Sequence, residues 1–312
     1  MSNLPIITIV TPSYNQSGFL EQTIRSVLEQ DYLNIEYIVM DGGSTDNSLE
    51  ILRRYADRLE YWESIADRGQ AHAINKGLRR AKGEILGWLN SDDVLLPGTI
   101  NRIAAAFGEH PEVDVIYGRI ERINERGEFI PTPLLPKDKV VFNKQLIVGE
   151  CVVNQPGSFW RRRIMGKVGL LDESLVYALD YEYWIRLALS GAVFLRLPDV
   201  VAQFRLSSSS KTVGNTAMMA HEQLQVLNSV LAKPNISDEL GLSERQVQIL
   251  ASKASGLIGL HASYGHIKLK QWGKAWHWIV FTLKSDPTVV FHQRWVVLAI
   301  AGITRRIRLL LV

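Results

Sequence analysis

Two adjacent carboxylates, Asp92 and Asp93, follow a short apolar run that begins at Ile85, and they are the residues best placed for chemistry. Such a run is typical of a buried parallel strand whose carboxyl end reaches the surface, where α/β sheets bind ligands. Neighbouring carboxylates repel each other unless a cation joins them, and a divalent cation with a diphosphate is a common partner. The other interpretation is a turn that caps a helix starting near Gly98.

A second candidate is Asp180, which stands at the front of an amphipathic pattern that runs to Ser190. A carboxylate at this position can cap the helix. It can equally act as a general base that takes a proton from an attacking hydroxyl, if it faces a sugar-sized crevice. Both roles are open on these residues alone.

Further polar clusters follow apolar runs in the first seventy residues. They are Ser13-Tyr14-Asn15, Asp41-Gly42-Gly43-Ser44-Thr45-Asp46 and Asp67-Arg68-Gly69-Gln70. Turns alone could use Asn or Ser, so an acidic residue after successive runs indicates that the carboxylates line one crevice.

The apolar runs alternate with helical patterns, which predicts an α/β fold with a mostly parallel sheet flanked by helices. Strands are predicted at 6–11, 35–40, 59–62, from 85 onward, and at 113–117, 118–124, 194–197 and 200–204. The runs 113–117 and 118–124 are predicted to pair with each other as a hairpin.

Several common classes of protein are disfavoured. No Gly-x-Gly-x-x-Gly follows the first strand and no P-loop motif is present, so a bound nucleotide would be held through a metal rather than a glycine-rich loop. The single cysteine, Cys151, rules out an intramolecular disulfide framework and a Cys-rich zinc site. The first residues lack the pattern of a secretory signal, and a cytoplasmic location is expected.

Charge is unevenly distributed along the 312 residues. The formal net charge is +3, but residues 245–312 contain ten Lys and Arg and a single acid, Asp286. Residues 211–312 also have a helical pattern throughout. We therefore predict a catalytic domain over 1–210 and a basic, Trp-rich helical region over 211–312.

The uncharged stretch 295–304 is too short to span a bilayer. The helical region is predicted to lie peripherally on an anionic membrane surface, at the inner face of the plasma membrane. The alternative is a bundle packed against the catalytic domain or a second subunit. No nucleic-acid partner is expected, because residues 242–250 resemble only the first helix of a helix-turn-helix and no clear recognition helix follows.

Residues 4–210 resemble the family 2 inverting glycosyltransferases of the GT-A fold. The resemblance rests on an ordered set of motifs: Thr11-Pro12-Ser13-Tyr14-Asn15, Asp41 to Asp46, Asp67-Arg68-Gly69-Gln70 through Ala81-Lys82-Gly83, Asn90-Ser91-Asp92-Asp93, and Leu179-Asp180 before Trp184 and Arg186. Each motif is weak alone, whereas the whole set in this order is specific.

The resemblance implies a role for each of these motifs. Five residues would hold the base and ribose of a nucleotide sugar: Pro12, Tyr14, Asp41, Asp67 and Arg68. Asp92 would face the ribose or the sugar, and Asp93 would bind Mg²⁺ or Mn²⁺ that bridges the diphosphate. Asp180 would deprotonate the acceptor hydroxyl for in-line attack, which inverts the anomeric configuration.

The implied reaction moves a sugar from a nucleotide-sugar donor to a saccharide or polyprenyl-linked acceptor. A UDP-sugar is the donor we expect first, and bacterial surface polysaccharide assembly is the expected setting. This chain reads Asp41-Gly42-Gly43-Ser44 where family members often read Asp-Asp-Gly-Ser. Ser207 stands where many members carry a histidine, so the resemblance does not supply a third metal ligand. The alternatives are a sugar-nucleotidyltransferase and a catalytically inactive glycan-binding or scaffold protein on the same fold.

Overall fold

The computed structural model describes residues 4–131, 152–207 and 215–291. These residues form two compact units, one that extends to Ser207 and one built from the helices that begin at Thr216. The division predicted at residue 210 falls outside the described residues and stays a prediction. The uncharged stretch 295–304 also lies outside them.

A nine-stranded sheet forms the centre of the first unit, and it confirms the predicted α/β fold class. Its described strands are β1 Ile7–Ser13, β2 Ile35–Asp41, β3 Tyr61–Ser64, β4 Ile85–Trp88, β5 Val94–Leu95, β6 Val115–Ile123, β7 Phe129–Ile130, β8 Ser158–Arg161 and β9 Phe194–Arg205. Their order is β3-β2-β1-β4-β8-β6-β9-β5, with β7 paired to β6. Because β3, β2, β1 and β4 run parallel, the polar clusters that follow them meet at one end of the sheet.

Helices cover both faces of this sheet. Those described in the first unit are α1 Leu20–Leu28, α2 Ser48–Tyr55, α3 Gln70–Arg80, α4 Thr99–Glu109, α5 Arg162–Val168 and α6 Leu179–Leu189. Strand β1 is buried along its whole length, so successive side chains face opposite layers. Ile9 joins the hydrophobic core that includes Ile24 of α1. Val10 faces α3. A Cβ atom added to Gly77 of this helix would lie 2.4 Å from the Cγ1 atom of Val10.

The prediction of a hairpin around residue 118 is wrong, because strand β6 continues through this position without a turn. A Cβ added to Gly118 would lie 2.5 Å from Val201 of β9, at the point where the register between β6 and β9 shifts. The glycine therefore permits close approach of two strands rather than a turn. The runs 194–197 and 200–204 likewise form one strand, β9, whose irregular register accommodates Pro198.

The second unit is helical, with α7 Thr216–Leu231, α8 Ile236–Leu240, α9 Glu244–Lys268 and α10 Trp272–Ser285. A capping box begins α9: the Ser243 hydroxyl accepts from the Gln246 N–H, and the Gln246 side chain accepts from the Ser243 N–H. Helices α9 and α10 pack antiparallel, with Gly259 against Thr282 and Gly256 against Asp286. Within the ranges described, no helix combines the length and the apolar character that crossing a membrane requires.

Candidate active site

Asp93 is completely buried in the turn that joins β4 to β5. Its Oδ1 atom accepts a hydrogen bond of 3.0 Å from the Arg205 backbone N–H, and its Oδ2 atom lies 3.4 Å from the Asn90 amide nitrogen. Its backbone carbonyl accepts from the Thr23 hydroxyl at 2.8 Å. Burial, together with the Asp92 charge, raises the pKa of the Asp93 carboxyl well above its ordinary value. The carboxylate thus faces the protein interior.

Asp92 is the more exposed of the two acids. Among the described residues, no other side chain donates a hydrogen bond to its carboxylate. Burial raises its pKa, and the Arg205 charge opposes that rise. Neither carboxylate caps a helix, since Gly98 is the residue that precedes α4. The Asp92 carboxylate is therefore the one that a ligand can reach.

Arg205, the last residue of β9, is 1% exposed and stabilises the turn between β4 and β5 through its side chain. Its Nε donates to the Asp92 carbonyl at 2.8 Å, its Nη1 to the Asn124 carbonyl at 2.9 Å, and its Nη2 to the Gln22 side-chain oxygen at 2.7 Å. The Phe19 ring lies 4.8 Å from the guanidinium carbon. Because its guanidinium N–H groups bind neutral oxygens, the Arg205 side chain fixes the turn without an ion pair to either carboxylate.

A chain of side-chain amides holds the other side of the turn. The Gln70 amide donates to Asn90 at 2.7 Å, and Asn90 donates to Gln155 at 2.9 Å. The Gln155 amide in turn donates to the Trp88 carbonyl at 2.8 Å. The first turn of α3, the acidic turn and the short helix at Gln155–Gly157 are thereby joined. The sequence shows these amides, but no motif indicates that they contact one another.

Asp41 ends β2 beside the end of β1, where the Gly42 N–H donates to the Ser13 carbonyl at 2.8 Å. Its buried carboxylate accepts from the Gly43 N–H, from the N–H and the hydroxyl of Ser44, and from the Ser64 hydroxyl. These four bonds hold the loop after β2 in place. Next to it, Pro12 lies within β1 and the Tyr14 side chain is 61% exposed.

The loop after β3 brings Asp67 and Arg68 to the same end of the sheet. The Asp67 carboxylate sits over Gly42, where an added Cβ would lie 2.7 Å from its Oδ2 atom. This contact gives a physical reason for glycine where family members often carry a second Asp. Arg68 pairs with Glu173 at 2.5 Å.

Glu173 links this loop to the segment that leads into α6, and no sequence motif points to it. Asn75 of α3 donates to Glu173 at 3.1 Å and to the Leu171 carbonyl at 2.9 Å. The hydrogen bond from Asn75 to the Glu173 carboxylate, and after it the hydrogen bond and charge of Arg68, lower the pKa of the Glu173 carboxyl to about 2. The loop after β3 is therefore linked to the segment that leads into α6, the helix that carries Asp180.

Asp180 is the second residue of α6, whose N-cap is Ala178, so it does not cap the helix. The Tyr181 N–H donates to its Oδ1 atom at 2.7 Å, and burial raises the pKa of the Asp180 carboxyl. One helical turn later, Trp184 stacks on Trp88 at 5.4 Å with the rings 4° from parallel. Because Trp88 ends β4, this stack anchors the start of α6 beside the strand that carries the acidic turn.

The residues fit a divalent cation only in part. Among the described residues, no Lys, Arg or His side chain forms an ion pair with either of the two adjacent carboxylates, and oxygen ligands of this kind suit Mg²⁺ or Mn²⁺. However, no group of three or more His, Cys, Asp or Glu side chains converges anywhere in the described portion of the chain. Ser207 is buried and carries no charge. Further ligands would have to come from the diphosphate and from water.

The family model described as "Glycosyl transferase family 2" matches residues 8–168, just over half of the chain. An uncharacterised glycosyltransferase of Rickettsia typhi is 29% identical over 246 residues, which are 76% of this chain and 74% of that protein. Another, from Rickettsia felis, is 27% identical over 83% of this chain, which spans 44% of its length. Asp180 lies beyond the residues that the family model matches.

Two solved structures show the same fold at low identity. S. aureus TarS 1–349 in complex with UDP-GlcNAc is 16% identical and has a TM-score of 0.62, covering 91% of this chain and 90% of its own. The Pyrobaculum calidifontis mannosyltransferase PcManGT in complex with GDP-Man and Mn²⁺ is 19% identical and has a TM-score of 0.61, covering 96% of this chain and 85% of its own. Both are GT-A glycosyltransferases, which confirms the expected fold.

Proposed function

The chain belongs to glycosyl transferase family 2, and we propose that it moves a sugar from a nucleotide-sugar donor to a saccharide or lipid-linked acceptor with inversion of configuration. One observation carries the proposal. Asp92 and Asp180 are two partly exposed carboxylates with raised pKa values. Asp92 follows Trp88 by four residues, Asp180 precedes Trp184 by about one helical turn, and these two tryptophans stack on each other. One acid can face the donor while the other meets the acceptor.

The donor side is assigned to the ends of β1, β2 and β3. Tyr14 is exposed enough to pack on a base, with Pro12 behind it. Asp41 already accepts four hydrogen bonds, so its contribution is to hold the Gly43-Ser44 loop that borders the base. Asp67 and Arg68 complete this border. The nucleotide sugars bound to TarS and to PcManGT support a donor of this class, with a UDP-sugar as our first choice.

We exchange the roles predicted for the two adjacent acids. Asp93 was expected to bind the metal, but its carboxylate is fully buried and faces the Arg205 N–H. Asp92 is partly exposed, so we assign to it the Mg²⁺ or Mn²⁺ that would join the donor diphosphate to the protein. Such a cation supplies positive charge against the negative charge that develops on the departing diphosphate. Asp93 then orients the turn.

Asp180 is proposed as the general base. It accepts the proton of the acceptor hydroxyl while that oxygen forms a bond to the anomeric carbon. The bond from this carbon to the diphosphate oxygen breaks, and the nucleoside diphosphate leaves with the electron pair. Attack from the side opposite the leaving group inverts the configuration. We place this reaction in polysaccharide assembly at the cytoplasmic face of a bacterial membrane.

The proposal is tested by release of the nucleotide from sugar donors, namely UDP, GDP or dTDP from the diphosphate sugars and CMP from CMP-sugars, with Mg²⁺ or Mn²⁺ and with candidate saccharide acceptors. Asp180→Asn should lower kcat by about 10²–10⁴. Asp172→Asn, a change of the same kind at an exposed loop position, should leave kcat unchanged. Binding of a donor without any turnover would instead support the inactive scaffold.

A further inference from the structure

Helix α10 carries a second apolar stripe beside the one that it buries. Ala275, Trp278 and Thr282 are its buried residues. A further set, none of it fully buried, recurs at i, i+4, i+7 and i+11: Trp272, Trp276, Ile279 and Leu283. Of these, Leu283 packs in part against the core formed by Leu260 and Val289. The Trp276 side chain is 65% exposed, and Leu269, just before the helix, is 42% exposed. The indole ring of Trp276 is therefore largely exposed to water.

Lysines flank this stripe, and no acidic side chain in the described part of the chain forms an ion pair with Lys270, Lys274 or Lys284. Lys270, Lys274 and Lys284 are exposed, and residues 268–285 contain four lysines and no Asp or Glu. The next acid, Asp286, is buried against Gly256 of α9. We call the surface formed by Leu269, Lys270, Trp272, Trp276 and Lys284 the α10 face; Lys274, two residues before Trp276, lies on the other side of the helix. It combines an exposed indole with uncompensated positive charge.

We propose that the α10 face binds an anionic membrane surface, with Trp276 at the level of the lipid headgroups and the lysines on lipid phosphates. Indole and lysine side chains both suit this interface, since each has an apolar part and a polar or charged end. A second copy of the chain fits less well, because a two-fold contact would bring the lysines of both copies together. Nucleic acid would match the charge but would leave the exposed apolar surface of Leu269 and Trp276 without a partner.

Sedimentation of the full-length protein with lipid vesicles tests this proposal without any donor or acceptor, so its outcome is independent of the transferase reaction. One set of vesicles is phosphatidylcholine alone, and in the other about one lipid in three is phosphatidylglycerol. We expect binding to the anionic vesicles only, and weaker binding at high salt. Trp276→Ala should lower the partition coefficient about tenfold, and Lys284→Ala about fivefold. Trp276→Phe should retain most of the binding.

Ile249→Ala combined with Lys253→Ala is the matched control. It removes an exposed aliphatic and an exposed basic side chain from α9, about 20 Å along the bundle from the level of Trp276. It should bind vesicles as the wild type does, and unaltered thermal unfolding should show that each variant is folded. Equal binding to neutral vesicles, or equal loss in the control, would overturn the proposal. So would a duplex DNA that displaces the vesicles, or a dimer that Trp276→Ala dissociates.

Discussion

Arg205 gives the acidic turn its rigidity, and its guanidinium does so through hydrogen bonds to neutral oxygens. A lysine has no planar fork and cannot reach three acceptors in these directions. We expect Arg205→Lys to lower the free energy of unfolding by about 3 kcal/mol, measured by urea denaturation. Arg102→Lys, at an exposed arginine 3.7 Å from Asp199, should cost less than about 1 kcal/mol. Equal losses in the two variants would contradict the role given to Arg205.

The raised pKa of Asp180 has a consequence for pH dependence. Burial favours the neutral acid, whereas a general base must be ionised. The rate kcat/KM should therefore fall as the pH is lowered through a pKa that lies above the ordinary value of 3.8. A rate that stays constant down to pH 3.8 in folded enzyme would rule out Asp180 as the base.

Stability provides a second test of the same residue. A carboxyl whose pKa is raised by folding destabilises the native state once the pH exceeds the unfolded pKa. Asp180→Asn removes that cost at pH 7 and still offers an acceptor to the Tyr181 N–H. The variant should be at least as stable as the wild type while it loses activity, which separates catalysis from folding. Thermal unfolding at pH 7 measures this.

Helix α3 lies on the sheet so closely that one methyl group decides the fit. A Cβ at Gly77 would meet Val10 at 2.4 Å, so Gly77→Ala should destabilise the protein by about 1–3 kcal/mol. Gly108 of α4 has no neighbour within 4 Å of an added Cβ, and Gly108→Ala should stabilise by about 0.5–1 kcal/mol, because alanine favours a helix. Opposite signs in urea denaturation are expected. A stabilising Gly77→Ala would show that α3 is less tightly packed.

The periodicity of the sequence was sufficient for the main elements, since β1, β2 and β4 are apolar runs and the helices between them have one apolar stripe. It failed at Gly118, where a glycine that permits close packing was interpreted as a turn. It also gave no sign of the contact between Asp93 and Arg205, which lie more than a hundred residues apart; the role of Asp93 as a metal ligand stays a prediction. Contacts of this range leave no local pattern. Glu173 was missed for the same reason, since its partners lie on α3 and in the loop before it.

Charge is distributed unequally along the chain. Residues 1–244 contain 25 Lys and Arg against 31 Asp and Glu, whereas the remainder is strongly basic. The acidic turn therefore belongs to the negative part of the chain, which agrees with the divalent cation that we propose between this turn and the donor diphosphate. The α10 face belongs to the positive part. Identity of 16–19% with the solved neighbours shows the fold, so the functional argument has to rest on these particular residues.

Thermal unfolding of the wild type, Asp92→Ala and Asp93→Ala, each with nucleotide sugars and with or without Mn²⁺, tests the central assignment most directly. A donor at a hundred times its dissociation constant should add about 2.7 kcal/mol to the wild type, and only when Mn²⁺ is present. Asp92→Ala should unfold like the ligand-free wild type and show no gain. Asp93→Ala should unfold at a lower temperature, because it leaves the buried Arg205 N–H without an acceptor, yet keep a gain that depends on Mn²⁺. A full gain in Asp92→Ala would contradict the assignment of the cation to Asp92.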